Sequence, residues 1–318
     1  MNDRVQFYIE RDAMQDFVTF STHSKVKKMK SLLFLYTEDR DETFPKLLLL
    51  MKNNIFENIC DETIYGAKSS KILRNNLFLL YLNKNGDTPL SISTYYGTIE
   101  NVRLLLNKRD TKKYINFPNQ YGERPLHRAI RRGDIEFVKL LLSNGANVNL
   151  FAHNGETPLY DAIRNDRIDI VELLLKYEIN VNTINKNKET PLHIAILFDR
   201  FDISRLLLNK NANVNLKDKN GNTAFHVAIS WDRNDTVKLL LSNGADVNSL
   251  QHDGMSPLHI AALNKNFSHI IQLLKFGADI NIGTPNRIKV KDILKEYLYD
   301  HSQNEDLFYL SSIIGNIE

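Results

Sequence analysis

The sequence predicts an all-α fold, namely a solenoid of stacked helix pairs with hairpin-like turns, preceded by a small helical N-terminal segment. Three observations predict it. A short segment with a proline at its centre recurs along the chain, a glycine precedes most copies by three residues, and each copy opens an apolar stripe at helical spacing. One such unit is too small to bury its own apolar face, so neighbouring units must stack.

The recurring segment has the form Thr-Pro-Leu. The first interval between copies is 36 residues, and each of the next four is 33 residues. Its middle residues are Pro89, Pro125, Pro158, Pro191, Ala224 and Pro257. The preceding glycines are Gly86, Gly122, Gly155, Gly221 and Gly254, and Lys188 takes this place in the fourth unit.

Each unit is predicted to contain two helices, as the second unit illustrates. Pro125 suits the first turn of a helix, because its missing N–H would have no intrahelical partner there. The small Ala129 allows close packing, and Gly133 ends the helix. Apolar residues at helical spacing from 135 to 142 predict the second helix, which Asn144 and the glycine after it end.

A second motif closes several units and completes a resemblance to the ankyrin repeat. It reads Asn-Gly-Ala-Asn-Val-Asn from Asn144, Asn-Gly-Ala-Asp-Val-Asn from Asn243 and Phe-Gly-Ala-Asp-Ile-Asn from Phe276. The ankyrin pattern has a turn, T-P-L-H-x-A, a second helix ending in L-L, and G-A-x-V-N. Six in-phase copies carry the resemblance over residues 84–284, and it implies an ankyrin-repeat solenoid.

The same pattern divides the chain into three parts. Residues 1–83 are predicted to form a helical N-terminal segment or capping domain, in which a degenerate repeat around Pro45 stays open. Residues 285–318 are predicted to form a degenerate C-terminal capping repeat with a polar outer face. Between them lie six repeats, at 84–118, 119–151, 152–184, 185–217, 218–250 and 251–284.

Two units depart from the pattern. The first carries three extra residues, which we place in a loop within residues 108–114. The third has Glu178 where later units have Gly or Asn. A left-handed turn at Glu178 costs about 1 kcal/mol without glycine, so the sequence predicts that Glu178→Gly raises stability.

Composition excludes several classes of protein. With 42% hydrophobic and 25% charged residues and a net charge of +3, the 318 residues fit a globular protein. The one cysteine, Cys60, excludes an intrachain disulfide and suits a reducing compartment. No apolar run approaches the roughly 20 residues that span a membrane. We therefore expect a cytoplasmic monomer without a membrane span.

Two sets of polar residues recur at one phase of the repeat. Helices pack about 10 Å apart, so one metal ion cannot bridge the histidines of successive units, and we expect them to bond turn backbone instead. We expect the asparagines to bond local backbone in their own turns. The histidines are His127, His193, His226 and His259, and the asparagines are Asn149, Asn182, Asn215, Asn248 and Asn281. The sequence predicts no metal and no cofactor.

Catalysis has little support in the sequence. Cys60 is followed by Asp61 and Glu62, whose carboxylates raise the pKa of a thiol, and no phosphate-binding or metalloprotease motif is present. We therefore expect a protein that is not an enzyme. One alternative stays open, in which an active site within residues 1–83 uses Cys60 and His23 and the repeats select the substrate.

The resemblance implies a concave recognition face, built from the hairpin tips and the exposed end of each first helix. Carried over by phase, its positions hold aromatic, aliphatic and arginine side chains, and Tyr, Trp and Arg are enriched at binding hot spots. These partner-binding residues are Tyr95, Tyr96, Tyr121, Arg131, Arg132, Phe151, Arg164, Leu197, Phe198, Trp231 and Leu263. In the alternative, these side chains fill space between hairpins and helices or are covered by the N-terminal segment.

The first two repeats are basic, since residues 84–151 hold 11 Lys and Arg against 6 Asp and Glu. Two interpretations of the arginines stay open: they receive an acidic segment of a partner, or they form ion pairs on a solvated face. The basic residues are Arg124, Arg128, Arg131 and Arg132 with Lys112 and Lys113, and their candidate ion-pair partners are Glu123, Asp134 and Glu136. Nucleic acid is not an expected partner.

The predicted function is a non-catalytic protein–protein interaction module that binds a partner protein through the concave ankyrin face. Lys- and Asn-rich stretches such as residues 185–188 resemble in style the ankyrin effectors of intracellular bacteria. That resemblance implies a host protein as partner and delivery into the host cytosol. A poxvirus-like or eukaryotic cytosolic ankyrin adaptor stays open as an alternative.

Overall fold

The structure, a computed structural model, describes residues 85–107, 114–285 and 289–294. The chain divides into two compact units, with the division between Asn147 and Val148. The predicted N-terminal segment, including His23 and Cys60, lies outside the described residues, as do Lys112, Lys113 and the end of the capping repeat. The assignment of residues 1–83 and 285–318 as caps therefore stays a prediction.

The first unit contains four helices in its described part. They are α1 (Pro89–Tyr96), α2 (Ile99–Leu106), α3 (Pro125–Arg132) and α4 (Ile135–Ser143). Helix α1 packs against α3, and α2 packs against α4, so two helix pairs stack as the pattern predicts.

The second unit continues the same order through four helix pairs. They are α5 (Pro158–Arg164) with α6 (Ile168–Leu174), α7 (Pro191–Leu197) with α8 (Phe201–Asn209), α9 (Ala224–Ser230) with α10 (Asn234–Ser242), and α11 (Pro257–Leu263) with α12 (Phe267–Lys275). The first helices pack in the order α5, α7, α9 and α11. The described residues form no strand, only two isolated bridges, so the all-α solenoid is confirmed.

The helix ends follow from the residues that the sequence places there. The Thr190 side chain accepts a hydrogen bond from the His193 N–H, and Pro191 follows as the first helical residue. Helix α3 begins at Pro125 and ends before Gly133, whose φ is 79°. Both boundaries that we predicted for this helix are confirmed. Later repeats reach the left-handed region at this phase without glycine, at Asp166, Asp199, Asp232 and Lys265.

A short hairpin-like turn precedes the first helix of each of the last five repeats. In the fourth repeat the turn covers residues 185–189 and is closed by a hydrogen bond from the Asn185 N–H to the Glu189 carbonyl. The Asn185 side-chain oxygen also accepts from the Asn187 and Glu189 N–H groups at 2.9 Å. The equivalent turns cover residues 119–123, 152–156, 218–222 and 251–255.

The phase-locked asparagines bond backbone, but in the following repeat rather than in their own turn. Asn149, Asn182, Asn215 and Asn248 each donate from Nδ2 to a carbonyl 29 residues later and accept at Oδ1 from an N–H 31 residues later, whereas the corresponding positions for Asn281 lie outside the described residues. The distances for Asn182 are 3.4 Å to the Asn211 carbonyl and 2.7 Å to the Asn213 nitrogen. The expectation of local bonding is wrong. We call this two-bond contact the asparagine clamp, and it is made by Asn116, Asn149, Asn182, Asn215 and Asn248.

The predicted left-handed turn at Glu178 is also wrong. Gly145, Asn211, Gly244 and Gly277 are left-handed at this phase, whereas Glu178 is not. Helix α6 instead ends at Leu174. This is two residues earlier in the repeat than the end of α4 at Ser143. The Ile179 N–H then bonds the Tyr177 carbonyl at 2.8 Å rather than the helix. Because the chain avoids the strained conformation, Glu178→Gly relieves nothing and is not expected to raise stability.

Strain lies instead at Lys188, the residue that replaces glycine in the hairpin-like turns. Its φ is 59°, where a side chain costs about 1–2 kcal/mol. We expect Lys188→Gly to raise the free energy of unfolding in urea by about 0.5–1 kcal/mol, after the entropy of glycine in the unfolded chain is subtracted. Lys186→Gly is the matched control, since it removes the same charge at an ordinary φ, and it is expected to destabilise. Equal effects of the two substitutions would contradict the explanation.

Candidate protein-binding face

The second unit exposes an aromatic pair at the ends of two packed helices. Phe198 follows α7 and Trp231 follows α9, and their exposed fractions are 41% and 56%. Leu263, the last residue of α11, is 49% exposed. The left-handed residues Asp199 and Asp232 turn the chain towards the second helix of each pair, which leaves these apolar side chains at the surface.

Two other predicted positions are less available than we expected. Leu197 is only half-exposed. Arg164 makes a bidentate contact with the Glu156 carboxylate, which lies in the hairpin-like turn of the same repeat. Burial raises the pKa of Glu156, but the hydrogen bonds and charge of Arg164 outweigh it, and the pKa is lowered overall. Arg164 therefore stabilises its own repeat.

Apolar residues also stand where the chain enters the hairpin-like turns. Phe151, which the sequence analysis named, is 48% exposed. Ile184 and Leu250, which it missed, are 49% and 38% exposed at the same phase of later repeats. The signal for both was present, because they lie one and three repeat lengths after Phe151. Lys217 occupies the phase between them.

Backbone hydrogen bonds join the turns of the second unit into a row. The Lys186 N–H donates to the Asn154 carbonyl at 2.9 Å, and the Lys219 N–H donates to the Asn187 carbonyl at 2.8 Å. The close approach explains a glycine here, since a Cβ on Gly221 would lie 2.6 Å from the His252 nitrogen. The turns are therefore held at fixed spacing beside the first helices.

The first unit exposes tyrosines at the equivalent phase. Tyr95 and Tyr96 at the end of α1 are 39% and 66% exposed, and their rings pack edge to face with centroids 4.8 Å apart. Tyr121, in the turn before α3, is also exposed. All three predicted tyrosines thus lie at the surface of this unit.

The arginines of α3 are engaged inside the first unit. Arg131 Nη1 lies 2.5 Å from the Glu123 carboxylate, and Arg128 Nη2 lies 2.6 Å from the buried Asp87 carboxylate. Arg132 donates to the Tyr95 and Gly97 carbonyls, which end α1. Of the two interpretations, ion pairing with Glu123 matches this geometry.

The other two acids named as arginine partners have different roles. The Asp134 side chain caps α4 by accepting from the Glu136 N–H, and the Glu136 carboxylate pairs with Lys139 at 2.8 Å. The contacts of Arg128, Arg131 and Arg132 therefore serve the packing of this unit.

The phase-locked histidines bond turn backbone, as expected. His193 Nδ1 accepts from the Thr190 N–H at 3.2 Å, and Nε2 lies 3.0 Å from the Asn222 carbonyl of the next repeat. Burial lowers the pKa of His193, and it lowers the pKa of His226 to about 4. In the part of the chain that the structure describes, no group of His, Cys, Asp and Glu is arranged to hold a metal ion. The same part contains no helix that is long and apolar enough to cross a membrane.

Comparisons with known proteins agree with this architecture. The family description "Ankyrin repeats (3 copies)" matches residues 47–152, 112–185, 150–218, 176–251 and 210–284. Among solved structures, the ankyrin repeat domain of Bcl-3, a member of the IkappaB protein family, is similar with a TM-score of 0.61 and 25% identity, over 66% of this chain and 95% of that chain. No curated protein matches the chain. The chain belongs to the ankyrin-repeat family, whose repeats form protein–protein interaction modules.

Proposed function

We propose that the protein binds a partner protein through the exposed ends of its first helices and the neighbouring hairpin-like turns. The single observation that carries the proposal is the exposure of Phe198 and Trp231 on adjacent, packed repeats. In the first unit, Tyr95, Tyr96 and Tyr121 are the proposed contact residues. No catalytic residue belongs to this proposal.

The energetics favour a binding role for the aromatic pair. Burial of apolar surface contributes about 25 cal/mol per Å², and aromatic side chains are the ones that most often dominate an interface. Neither Phe198 nor Trp231 is needed to close the core, because Ile196 and Ile229, two residues earlier in each repeat, already fill it and are almost fully buried. These large side chains are therefore available to a partner.

The proposed setting is the cytosol of a host cell, with a host protein as the partner. Its support is the Lys- and Asn-rich composition of stretches such as residues 185–188, which is similar to that of ankyrin effectors of intracellular bacteria.

The double variant Phe198→Ala/Trp231→Ala tests the proposal. We expect the affinity for a captured partner to fall by about 100-fold or more, because truncation of an aromatic hot spot costs about 2 kcal/mol or more. The measurement is quantitative capture from cell lysate, with circular dichroism as the check that the fold is intact.

The matched control is Tyr177→Ala/Phe276→Ala. These aromatic residues of the second unit are comparably exposed, at 41% and 55%, but each follows a second helix of its repeat, α6 and α12 respectively. The control is expected to retain capture. Retention by the Phe198→Ala/Trp231→Ala variant would show that the face is wrongly assigned.

A further inference from the structure

The turns of the two repeats that supply the aromatic pair also supply four exposed lysines. Lys186 and Lys188 lie in the turn before α7, and Lys217 and Lys219 lie at the turn before α9. The turns of the third and sixth repeats, residues 152–156 and 251–255, contain no lysine or arginine. Positive charge is therefore concentrated beside Phe198 and Trp231 in sequence and in repeat position.

The acidic residues of these two turns are occupied by the turns themselves. Asp218 is buried, and its carboxylate accepts from the Asn220 and Asn222 N–H groups at 2.8 Å. The Glu189 carboxylate accepts from Asn185 Nδ2 at 2.8 Å. These bonds hold both carboxylates within their own turns, so neither forms a salt bridge to the lysines.

The lysines have no acidic partner among the described residues. Lys217 Nζ donates to the Leu250 carbonyl at 2.7 Å, and Lys219 Nζ donates to the Asn187 side-chain oxygen at 2.8 Å. Both acceptors are neutral. Lys186 and Lys188 form no ion pair within the ranges that the structure describes.

The arginines near the same helix ends differ from these lysines, because each is paired. Arg233 Nη1 lies 2.8 Å from Asp199, and Arg200 Nη1 lies 3.2 Å from Asp166. The uncompensated positive charge of this surface thus comes from the turns of the fourth and fifth repeats. In the third repeat the Arg164 side chain at the end of the first helix reaches Glu156 in the turn, so a partner that buries the aromatic pair spans the same interval towards these ammonium groups.

We infer that the second unit selects an acidic segment of a partner protein, one that carries large apolar side chains for Phe198 and Trp231 and carboxylates for the four lysines. This inference rests on the proposed function and names the chemistry of its partner. Opposite charges at the edge of an interface speed association and exclude basic partners, while the apolar anchors supply most of the affinity.

The experiment selects ligands without assuming their charge. A library of random peptides about 16 residues long is panned on the full chain, and peptides that also bind the Phe198→Ala/Trp231→Ala variant are removed. Affinities of synthesised tryptophan-free peptides are then measured from the emission of Trp231, the only tryptophan of the sequence. We expect enriched peptides to be acidic and to contain aromatic or leucine residues.

Charge reversal tests the lysines directly. Lys186→Glu/Lys219→Glu is expected to weaken the acidic peptides by about tenfold or more at low salt. Lys176→Glu/Lys238→Glu makes the same change of charge at exposed sites on the second-helix side, and it is expected to leave affinity within about twofold.

Three results would overturn the inference. If the enriched peptides are neutral or basic, the acidic partner is contradicted but the proposed function stands. If no enriched peptide depends on the aromatic pair, both the acidic partner and the proposed function are contradicted. A single-stranded oligonucleotide that changes Trp231 emission with an affinity equal to that of the peptides would show that the lysines serve nucleic acid.

Discussion

Acidification from pH 6.5 to pH 4 is expected to lower the free energy of unfolding by about 3 kcal/mol through His226 alone. The imidazole is fully buried, and its Nδ1 accepts from the Thr223 N–H at 3.1 Å, which requires the neutral ring. Burial lowers the pKa of His226 to about 4, and the backbone of Ser249 and Met255 opposes this in part. The unfolded chain therefore binds a proton in this pH range that the folded chain does not.

The sign follows from that difference in proton binding. The contribution of His226 is complete above pH 6.5, declines as the pH falls, and is lost below about pH 4. Burial also lowers the pKa values of His193 and His269, so their contributions decline in the same direction. The Asp232 carboxylate, 3.7 Å from His269 Nδ1, partly opposes the shift of His269.

Urea unfolding at several pH values between 7.5 and 4 measures the effect. His226→Gln is the informative variant, because a glutamine at this position of the helix can still accept from the Thr223 N–H and does not titrate. As the pH falls, the free energy of unfolding of the variant should decrease less steeply than that of the wild type. Near pH 5 the two slopes should differ by about 1.4 kcal/mol per pH unit. A wild-type stability that is constant from pH 6.5 to 4.5 would contradict the explanation.

Phe225→Ala is expected to lower the free energy of unfolding by about 3–5 kcal/mol. The ring is completely buried in α9, which packs against α7, α10 and α11. Truncation removes this apolar surface from the core and leaves a cavity that the surrounding helices fill only in part. Because repeats are stabilised by their neighbours, the loss weakens two interfaces at once.

Phe225→Leu is the matched control, since leucine occupies the equivalent position in each of the other five repeats. We expect it to recover most of the loss, with a remaining deficit of about 1 kcal/mol. Chemical denaturation followed by far-ultraviolet circular dichroism measures both variants. Equal losses for alanine and leucine would show that the volume of the ring is not the cause. The other leucines are Leu90, Leu126, Leu159, Leu192 and Leu258.

Much of the fold was predictable because its signals are local. Pro125 and Gly133 mark the two ends of α3 through the backbone conformations that they favour, and neither depends on distant residues. The conformation at Glu178 was not predictable in this way. Two routes out of α6 were open to the chain, and the sequence repeat suggested the strained one.

The candidate site was predictable in position but less so in availability. Repeat phase placed Phe198 and Trp231 correctly at exposed helix ends. It did not reveal that Arg164 is held by Glu156, because a charge pattern does not show which of several acidic neighbours a flexible side chain reaches. The exposed lysines in the turns of the fourth and fifth repeats could not be singled out for a related reason. Whether their charge is compensated depends on where Asp218 and Glu189 direct their carboxylates.

The asparagine clamp recognises only main-chain atoms of the following repeat. At the positions that it contacts, the chain holds Glu178, Asn211 and Gly244 at one phase and Asn180, Asn213 and Asp246 at the other, all with the same bonding. One residue in 33 thus joins the segments that follow successive second helices, and at the phase of Glu178 it places little demand on the neighbour's side chain. The residue at that phase can consequently change from one repeat to the next without altering this joint between repeats.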